Sequence, residues 1–256
     1  MKKVKAKRFL GQHFLINEGV AKDIVSSLQH KDNILEVGAG MGVLTKYIIE
    51  ENTDNFFVIE IDKESVAYLN ENYPCIKNNI IEGDFLKYDL NTLFDSQNFS
   101  LIGNFPYNIS NLILFKVFEN KDIVEEVVGM FQKEVAERVI AKEGSKTYGI
   151  LSVFLSVFYD REYLFTVSNT DFDPMPKVQS AVIRLTRNNI IDLGCDEKQF
   201  ILVVKTAFNQ RRKMLRQSLK ALNKSLENIS EDTLTKRAEQ LSPQDFINLT
   251  KLIYNV

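Results

Sequence analysis

The segment Asn104-Phe-Pro-Tyr107 is where residue types in this chain converge on one kind of chemistry. An amine conjugated to an aromatic ring is a poor nucleophile, because its lone pair is delocalised. A side-chain amide oxygen and a nearby backbone carbonyl together offer two acceptors for its two hydrogens. Such a pair favours a pyramidal nitrogen and stabilises the positive charge that develops as the nitrogen attacks. Asn104 supplies the amide, Pro106 fixes the loop, and Tyr107 carries a ring able to stack on a planar base. A strand-end turn would explain Asn104 and Pro106 but not the whole tetrapeptide.

Three earlier segments have the character of ligand-binding strand ends: Glu36-Val-Gly-Ala-Gly-Met-Gly42, Glu60-Ile-Asp62 and Gly83-Asp84-Phe85. With Asn104 they recur every 20–24 residues, a spacing that lines them along one sheet edge. Gly38 and Gly40 let the backbone turn sharply beside a ligand. Val43 stands where a dinucleotide fingerprint needs its last glycine, so the pattern fits a nucleoside without a pyrophosphate. Glu60 is suited to accept from two ribose hydroxyls, with Ile61 beside it. Asp84 is suited to accept the exocyclic amine of a cofactor adenine, with Phe85 flanking the ring.

These residues need a scaffold that brings successive strand ends together. Residues 33–186 read as alternating short apolar strands and amphipathic helices, with strands expected at Ile34–Val37, Phe56–Ile61, Asn79–Glu82, Ser100–Ile102, Glu126–Phe131, Tyr163–Val167 and Ser180–Thr186. Helices are expected at Val43–Glu50, Glu64–Glu71, Ile109–Phe118 and Lys133–Lys142. Such alternation predicts an α/β, mostly parallel, doubly wound Rossmann-like sheet, which binds ligands outside the carboxyl ends of its strands. After Arg187 the strand signals stop and residues 196–256 read as short helices. The expected division is a domain over 1–187 and a small all-helical domain over 188–256, joined near Asn188–Asp196.

Bulk properties narrow the class. The 256 residues are 45% hydrophobic and 26% charged, an ordinary globular composition. No apolar run is long enough to span a membrane and no secretory pattern follows the basic start, so a cytoplasmic protein is expected. Cys75 and Cys195, with only His13 and His30 for histidines, form neither a disulfide framework nor a metal pattern. The net charge is −2, yet the cations are clustered. Residues 1–17 hold Lys2, Lys3, Lys5, Lys7 and Arg8 and no acid; residues 205–224 hold Lys205, Arg211, Arg212, Lys213, Arg216, Lys220 and Lys224 and again no acid. Two basic stretches on an otherwise acidic chain suit an oriented polyanion contact, or simply two solvated faces. Arg212, Arg216, Lys220 and Lys224 recur every four residues beside Leu215, Leu219, Leu222 and Leu226, which predicts a basic amphipathic helix for RNA, a partner or a membrane surface.

The motifs together resemble one family. Asn104-Phe-Pro-Tyr107 resembles the N-x-P-Y signature of amino-methyltransferases, and Gly103–Ser110 resembles the bacterial small-subunit (16S) ribosomal RNA adenine dimethyltransferases. Gly11-Gln-His-Phe-Leu15 resembles the family's N-terminal motif that closes over the cofactor. Gln132–Arg138 and Tyr148–Ser152 resemble the middle of its catalytic domain. Phe172–Val182 resembles the segment whose aromatic helps hold the target adenine, and Phe208–Lys213 resembles the basic signature opening its C-terminal domain. The likeness covers roughly residues 5–250. Its departures are His13 where asparagine is common, Phe105 for a usual leucine or isoleucine, and Met175 and Gln179 in a segment often written with three prolines and an aspartate.

The resemblance implies a class I methyltransferase that uses S-adenosylmethionine and no metal to dimethylate two adjacent adenosines near the 3′ end of 16S rRNA. The substrate would be the immature small ribosomal subunit and the enzyme a monomer. It adds Gln12, His13 and Leu15 to Gly38, Gly40, Glu60, Ile61, Asp84, Phe85 and Asn104 as cofactor residues, with His13 acting through ring or backbone or merely packing the arm. Phe172 joins Asn104, Pro106 and Tyr107 as catalytic. Lys5, Lys7, Arg8, Arg211, Arg212, Lys213, Arg216 and Lys220 become the RNA contacts. A large-subunit adenine methyltransferase, a nucleotide-dependent oxidoreductase and an assembly factor remain as rival readings.

Overall fold

The computed structural model describes residues 4–51 and 55–255; Lys2 and Lys3 lie outside them. The chain divides into two compact units, Met1–Ala136 with Arg161–Arg187, and Glu137–Asp160 with Asn188–Val256.

The first unit is built on a seven-stranded sheet. Its strands are β1 (Asn33–Val37), β2 (Asn55–Glu60), β3 (Ile80–Glu82), β4 (Phe99–Asn104), β5 (Val124–Gln132), β6 (Tyr159–Val167) and β7 (Ser180–Arg187). Their spatial order is β3-β2-β1-β4-β5-β7-β6. The pairs β1–β2, β1–β4, β2–β3 and β4–β5 are parallel, while β5 and β7 are antiparallel from Glu126↔Thr186 to Gln132↔Ser180. Chain order reverses at the β1–β4 pair, so the crevice beyond Val37 and Asn104 is the topological switch point where such sheets bind ligands.

The strands read as near-continuous apolar runs because both faces are covered. On one face Ile34, Phe56, Val58, Ile102, Val128, Met130 and Val182 pack with Ala21, Ile24 and Val25 of helix α1 (Glu18–Ser26), Ile48 of α2 (Thr45–Glu50) and Leu69 of α3 (Lys63–Asn72). The alternate residues Leu35, Leu101, Val127 and Ile183 are fully buried as well. Helix α4 (Ser110–Glu119) buries Ile113, Leu114 and Val117, and α5 (Lys133–Ile140) follows β5. Helix α1 was not among the expected elements. Asn17 starts it, its side chain accepting from Gly19 N and Val20 N.

The N-terminal arm is tied to this unit by a small ribbon in which Phe14–Leu15 pairs antiparallel with Phe172–Asp173. At the opposite edge of the sheet from the crevice, buried Glu126 takes the main-chain N–H groups of Gln29 and His30, at 2.9 Å for the nearer His30 contact. That carboxylate ties the end of α1 to β5 and is structural.

The second unit collects α6 (Ile150–Phe158), α7 (Glu197–Asn209), α8 (Leu215–Ser218), α9 (Glu231–Thr235) and α10 (Pro243–Tyr254). This differs from the expected division, which left 137–160 with the first domain. The reason lies in Ile150-Leu-Ser-Val-Phe-Leu-Ser-Val-Phe158, a helix apolar all round that has no face for solvent and must be enclosed. Phe154 meets Phe200 at 5.9 Å between ring centres, and Phe208 meets Phe246 at 5.8 Å.

The basic helix expected over 212–224 is not continuous. Arg211–Lys213 form a turn, and Met214 is extended, its φ/ψ −64°/153°. One α-turn (Leu215–Ser218) passes into a 3-10 turn (Leu219–Leu222), which Asn223 ends at φ 52°. Met214 bridges Arg237 and Leu215 N bonds Lys236 O, contacts that draw the segment out of a single helix.

Among the described residues no helix is long and apolar enough to cross a membrane.

Candidate active site

A cavity of about 210 Å³ lies at the switch point, lined from Leu10–Leu15, Glu36–Met41, Ile59–Ile61, Gly83–Leu86 and Asn104–Ile109. The four predicted strand ends therefore converge. So do Gln12, His13, Leu15, Gly38, Gly40, Glu60, Ile61, Asp84, Phe85, Asn104, Pro106 and Tyr107.

The floor is made by glycines and buried carboxylates. Gly40 has φ +57°, and a Cβ there would sit 2.9 Å from the Phe14 ring, so both conformation and space require glycine. Gly40 N donates to Glu60 Oε2 at 2.9 Å, and Asp62 N to Glu60 Oε1 at 2.8 Å. With these donors and a lesser contribution from Ile61 N, the carboxylate still keeps lone pairs for a ligand's hydroxyls. Burial raises the Glu60 pKa above the usual carboxylate range, opposed by these main-chain donors.

Glu36 is 1% exposed and lines the same cavity. The Thr45 hydroxyl donates to it at 2.6 Å. Burial pushes its pKa up to about 8, with the nearby Glu60 charge adding to the rise. In sequence Glu36 only opens the glycine motif, and its type and spacing there imply no role.

Asp84 Oδ1 accepts from Leu86 N at 3.0 Å. Phe85 is buried beside it, with Lys116 Nζ 5.3 Å from its ring centre. Ile61 is half exposed at the cavity wall.

The N-terminal arm closes one side. Lys7 forms an ion pair with Asp62, whose side chain is fully buried, and reaches Glu64 at 3.2 Å. Gln12 Nε2 donates to Asp62 Oδ2 at 3.2 Å. Burial alone would raise the Asp62 pKa, but the Lys7 ammonium and the Gln12 amide outweigh it and hold the carboxyl below its ordinary value. Asp62 also caps α3 through Glu64 N, a role readable from its place before a helix.

Asn104 Nδ2 donates to His13 O at 2.9 Å, which leaves Oδ1 as the acceptor of its amide. The His13 ring donates from Nδ1 to Pro174 O at 2.6 Å and lies 5.3 Å from the Tyr107 ring, so it ties the arm to Pro174 and packs against the tyrosine. Tyr107 OH meets Ser180 Oγ at 2.5 Å. Burial raises the tyrosine pKa, against the bond to Ser180. Ser180 carried no sequence signal beyond its place in Phe172–Val182.

Behind the loop, Phe105 is fully buried and its ring lies 4.9 Å from that of Phe131. A Cβ on Gly129 would come within 2.2 Å of the Phe105 ring, and one on Gly103 within 2.9 Å. Two glycines thus clear the space that the large side chain fills.

Two groups of the expected site residues do not line the cavity. Phe172 is 3% exposed, packs in the core and pairs with Leu15, and it is not among the cavity-lining residues. Through that pairing it anchors the arm. The basic residues do not act as one set. Lys7 is spent on Asp62. Arg211 binds Glu239 at 2.7 Å and Lys146 O at 2.6 Å, and Arg216 pairs with Glu231. Lys5 and Arg8 in the arm, and Arg212, Lys213 and Lys220 in the helical unit, remain exposed.

Comparison with known proteins agrees in both sequence and shape. A chain from Flavobacterium johnsoniae named ribosomal RNA small subunit methyltransferase A is 56% identical, with 99% of this chain and 97% of the relative covered. A protein of the same name from Cytophaga hutchinsonii is 54% identical, with 99% of each covered. A dimethyladenosine transferase from Plasmodium falciparum superposes with a TM-score of 0.76 at 25% identity, over 93% of this chain and 96% of that one. The 23S rRNA methyltransferase ErmE shares the fold, with a TM-score of 0.71 at 20% identity over 94% and 99%. The fold is that of the class I methyltransferases. The family model described as ribosomal RNA adenine dimethylase matches residues 3–255, and the chain belongs to that family.

Proposed function

We propose that this chain transfers methyl groups from S-adenosylmethionine to the exocyclic amines of two adjacent adenosines in a hairpin near the 3′ end of 16S rRNA, giving N6,N6-dimethyladenosines during small-subunit maturation in the cytoplasm. The observation that carries this reading is an Asn104 amide oriented through its nitrogen on the wall of the cavity that Glu60 and Asp84 also line. The relatives' small-subunit methyltransferase names and the family's adenine dimethylase description support the substrate.

The residues fit the cofactor. Glu60 keeps free lone pairs for ribose hydroxyls, Asp84 and Phe85 suit an adenine amine and ring, and the glycine turn leaves room for close approach. When bound, S-adenosylmethionine supplies an electrophilic methyl carbon on a sulfonium.

Asn104 Oδ1 accepts one hydrogen of the target amine and a main-chain carbonyl of the same loop accepts the other. They stabilise the charge that grows on nitrogen, a contribution of about 2.7–4 kcal/mol for a comparable fixed dipole. Extruding the adenine costs a few kcal/mol. Stacking on Tyr107, whose ring Ser180 orients, returns ~1–3 kcal/mol. The methylated amine is acidic enough to release its proton to solvent, so no side-chain base is required. Lys5, Arg8, Arg212, Lys213 and Lys220 supply cations for the RNA backbone.

The test is methyl transfer from labelled S-adenosylmethionine to small subunits from a strain lacking the activity, with mass spectrometry of the RNA. Dimethylation of two neighbouring adenosines near the 3′ end is the expected result. Label on another adenosine would change the target. No transfer, with cofactor bound, would favour a binding role in subunit assembly.

A further inference from the structure

We infer that Phe9 is a stacking platform for the nucleotide adjacent to the target adenine, an inference that rests on the RNA reading above. Of the 18 phenylalanines, all within the described residues, only Phe9 is exposed, at 77%.

Its position is fixed. Arg8–Leu10 form a 3-10 turn that Gly11 closes at φ 66°. Below the turn, Lys7 is held by Asp62 and Glu64, and Lys7 N donates to Gln12 Oε1 at 2.8 Å. Leu10, Gly11 and Gln12 line the cavity, while Arg8 and Phe9 are exposed. The turn rests on the catalytic loop. Asn108, the residue after Tyr107, donates to Phe9 O at 3.4 Å, and a Cβ on Gly11 would meet Asn108 Oδ1 at 2.6 Å. An exposed aromatic is thus fastened to the rim of the loop proposed to hold the adenine.

The surrounding charge selects the occupant. Exposed Lys5 and Arg8 lie close to Phe9 in sequence, and residues 1–17 contain no acid. Cations beside an aromatic face suit a phosphodiester chain whose bases present flat surfaces. The chemistry of extrusion supplies the need. Drawing one adenine into the cavity strips its neighbour of a stacking partner, and a ring one step outside the cavity replaces it. Because the two target adenosines are adjacent, the base held on Phe9 would be the other adenine or the nucleotide on its far side.

The chain contains no tryptophan, so Phe9→Trp gives a single indole reporter. With an RNA hairpin carrying both adenosines, its emission should be quenched. The quenching should disappear when the neighbouring nucleotide is made abasic. Phe9→Ala should raise KM for unmethylated small subunits about tenfold or more, leaving kcat and cofactor affinity within twofold, and Phe9→Tyr should restore KM. Unchanged emission while anisotropy shows the hairpin bound would overturn the inference. So would a Phe9→Ala defect seen with whole subunits but not with the hairpin, which would name a protein as the occupant, or one seen only in self-association. Wild-type transfer run in parallel separates the two levels. Its absence sinks the activity, whereas normal transfer with an indifferent Phe9 sinks this inference alone.

Discussion

The side-chain nitrogen of Asn104 and the main-chain oxygen of His13 lie 2.9 Å apart although 91 positions separate them in sequence. This bond couples the arm to the proposed acceptor amide, because the rotamer of that amide is set from outside its own loop. Asn104→Ala should therefore lower turnover about 10²–10³-fold. Cofactor affinity, measured by calorimetry, should stay within twofold. Retained turnover would remove Asn104 from the mechanism.

Glu60 is assigned to the ribose, and its carboxylate also organises Gly40 and Asp62. Glu60→Ala is expected to weaken cofactor binding at least tenfold while RNA binding holds. An equal loss of both affinities would show that the substitution unfolds the crevice and that the assignment is wrong.

The cations of the arm should separate by role. Lys7→Ala removes a charge already neutralised by Asp62, so the salt dependence of RNA binding should not change. Cleavage of the arm by protease should accelerate, and turnover should fall. Lys5→Ala and Arg8→Ala, at exposed positions, should each flatten the salt slope by about 1 and leave proteolysis as it was. A flatter slope for Lys7→Ala would place that ammonium on the RNA.

Arg211 and Arg212 are adjacent and should behave oppositely. Arg211 joins Glu239 and Lys146 O within one unit, whereas Arg212 is exposed. Arg211→Ala should lower the melting temperature, and Arg212→Ala should weaken RNA binding with stability unchanged. Matching effects would mean that the turn is not held as described.

The buried Glu36 carboxyl should leave a signature in stability against pH. Its folded pKa of about 8 lies above the unfolded value of 4.5, so the folded state keeps a proton that the unfolded state loses. Stability from this group is complete below about pH 4.5, falls as pH rises, and is fully lost above about pH 8. The whole shift corresponds to a ceiling of about 5 kcal/mol. Glu36→Gln should thus gain on the parent as pH rises from 5 to 9 in melting experiments. A constant difference would mean that Glu36 is already ionised at neutral pH.

Much of the site was readable because each part was local. Gly38-Ala-Gly40, Glu60-Ile61, Asp84-Phe85 and Asn104–Tyr107 each announce a strand end, and parallel order brings strand ends together. What escaped depends on distant partners. No spacing could show that Asp62 is matched to Lys7 or Tyr107 to Ser180. Phe172 belongs to a motif that implies stacking, yet its pairing with Leu15 turns the ring into the core. The four-residue recurrence of cations from Arg212 is genuine, but Met214 and Asn223 leave the helical region and break the face it implies. That residues 137–160 fall in the helical unit is not legible from sequence, because α6 lies far from its partners along the chain and its apolar surface says only that it is enclosed.

The ring of Phe105, seated over Gly103 and Gly129, constrains the mutational paths open to this chain. A Cβ at 129 would meet the Phe105 ring at 2.2 Å and the Phe131 ring at 2.7 Å, so a side chain there is not tolerated while both rings stand. Reducing Phe105 to leucine with glycine kept at 129 leaves an unfilled space beneath the catalytic loop. Exchanging the Phe105 ring for a side chain at 129 therefore requires Phe131 to move as well, and either change alone leaves the packing overfilled or hollow. The Asn104–Tyr107 loop and the hydrophobic side of the sheet are thereby coupled through one ring, and substitutions at 105 and 129 should be strongly non-additive.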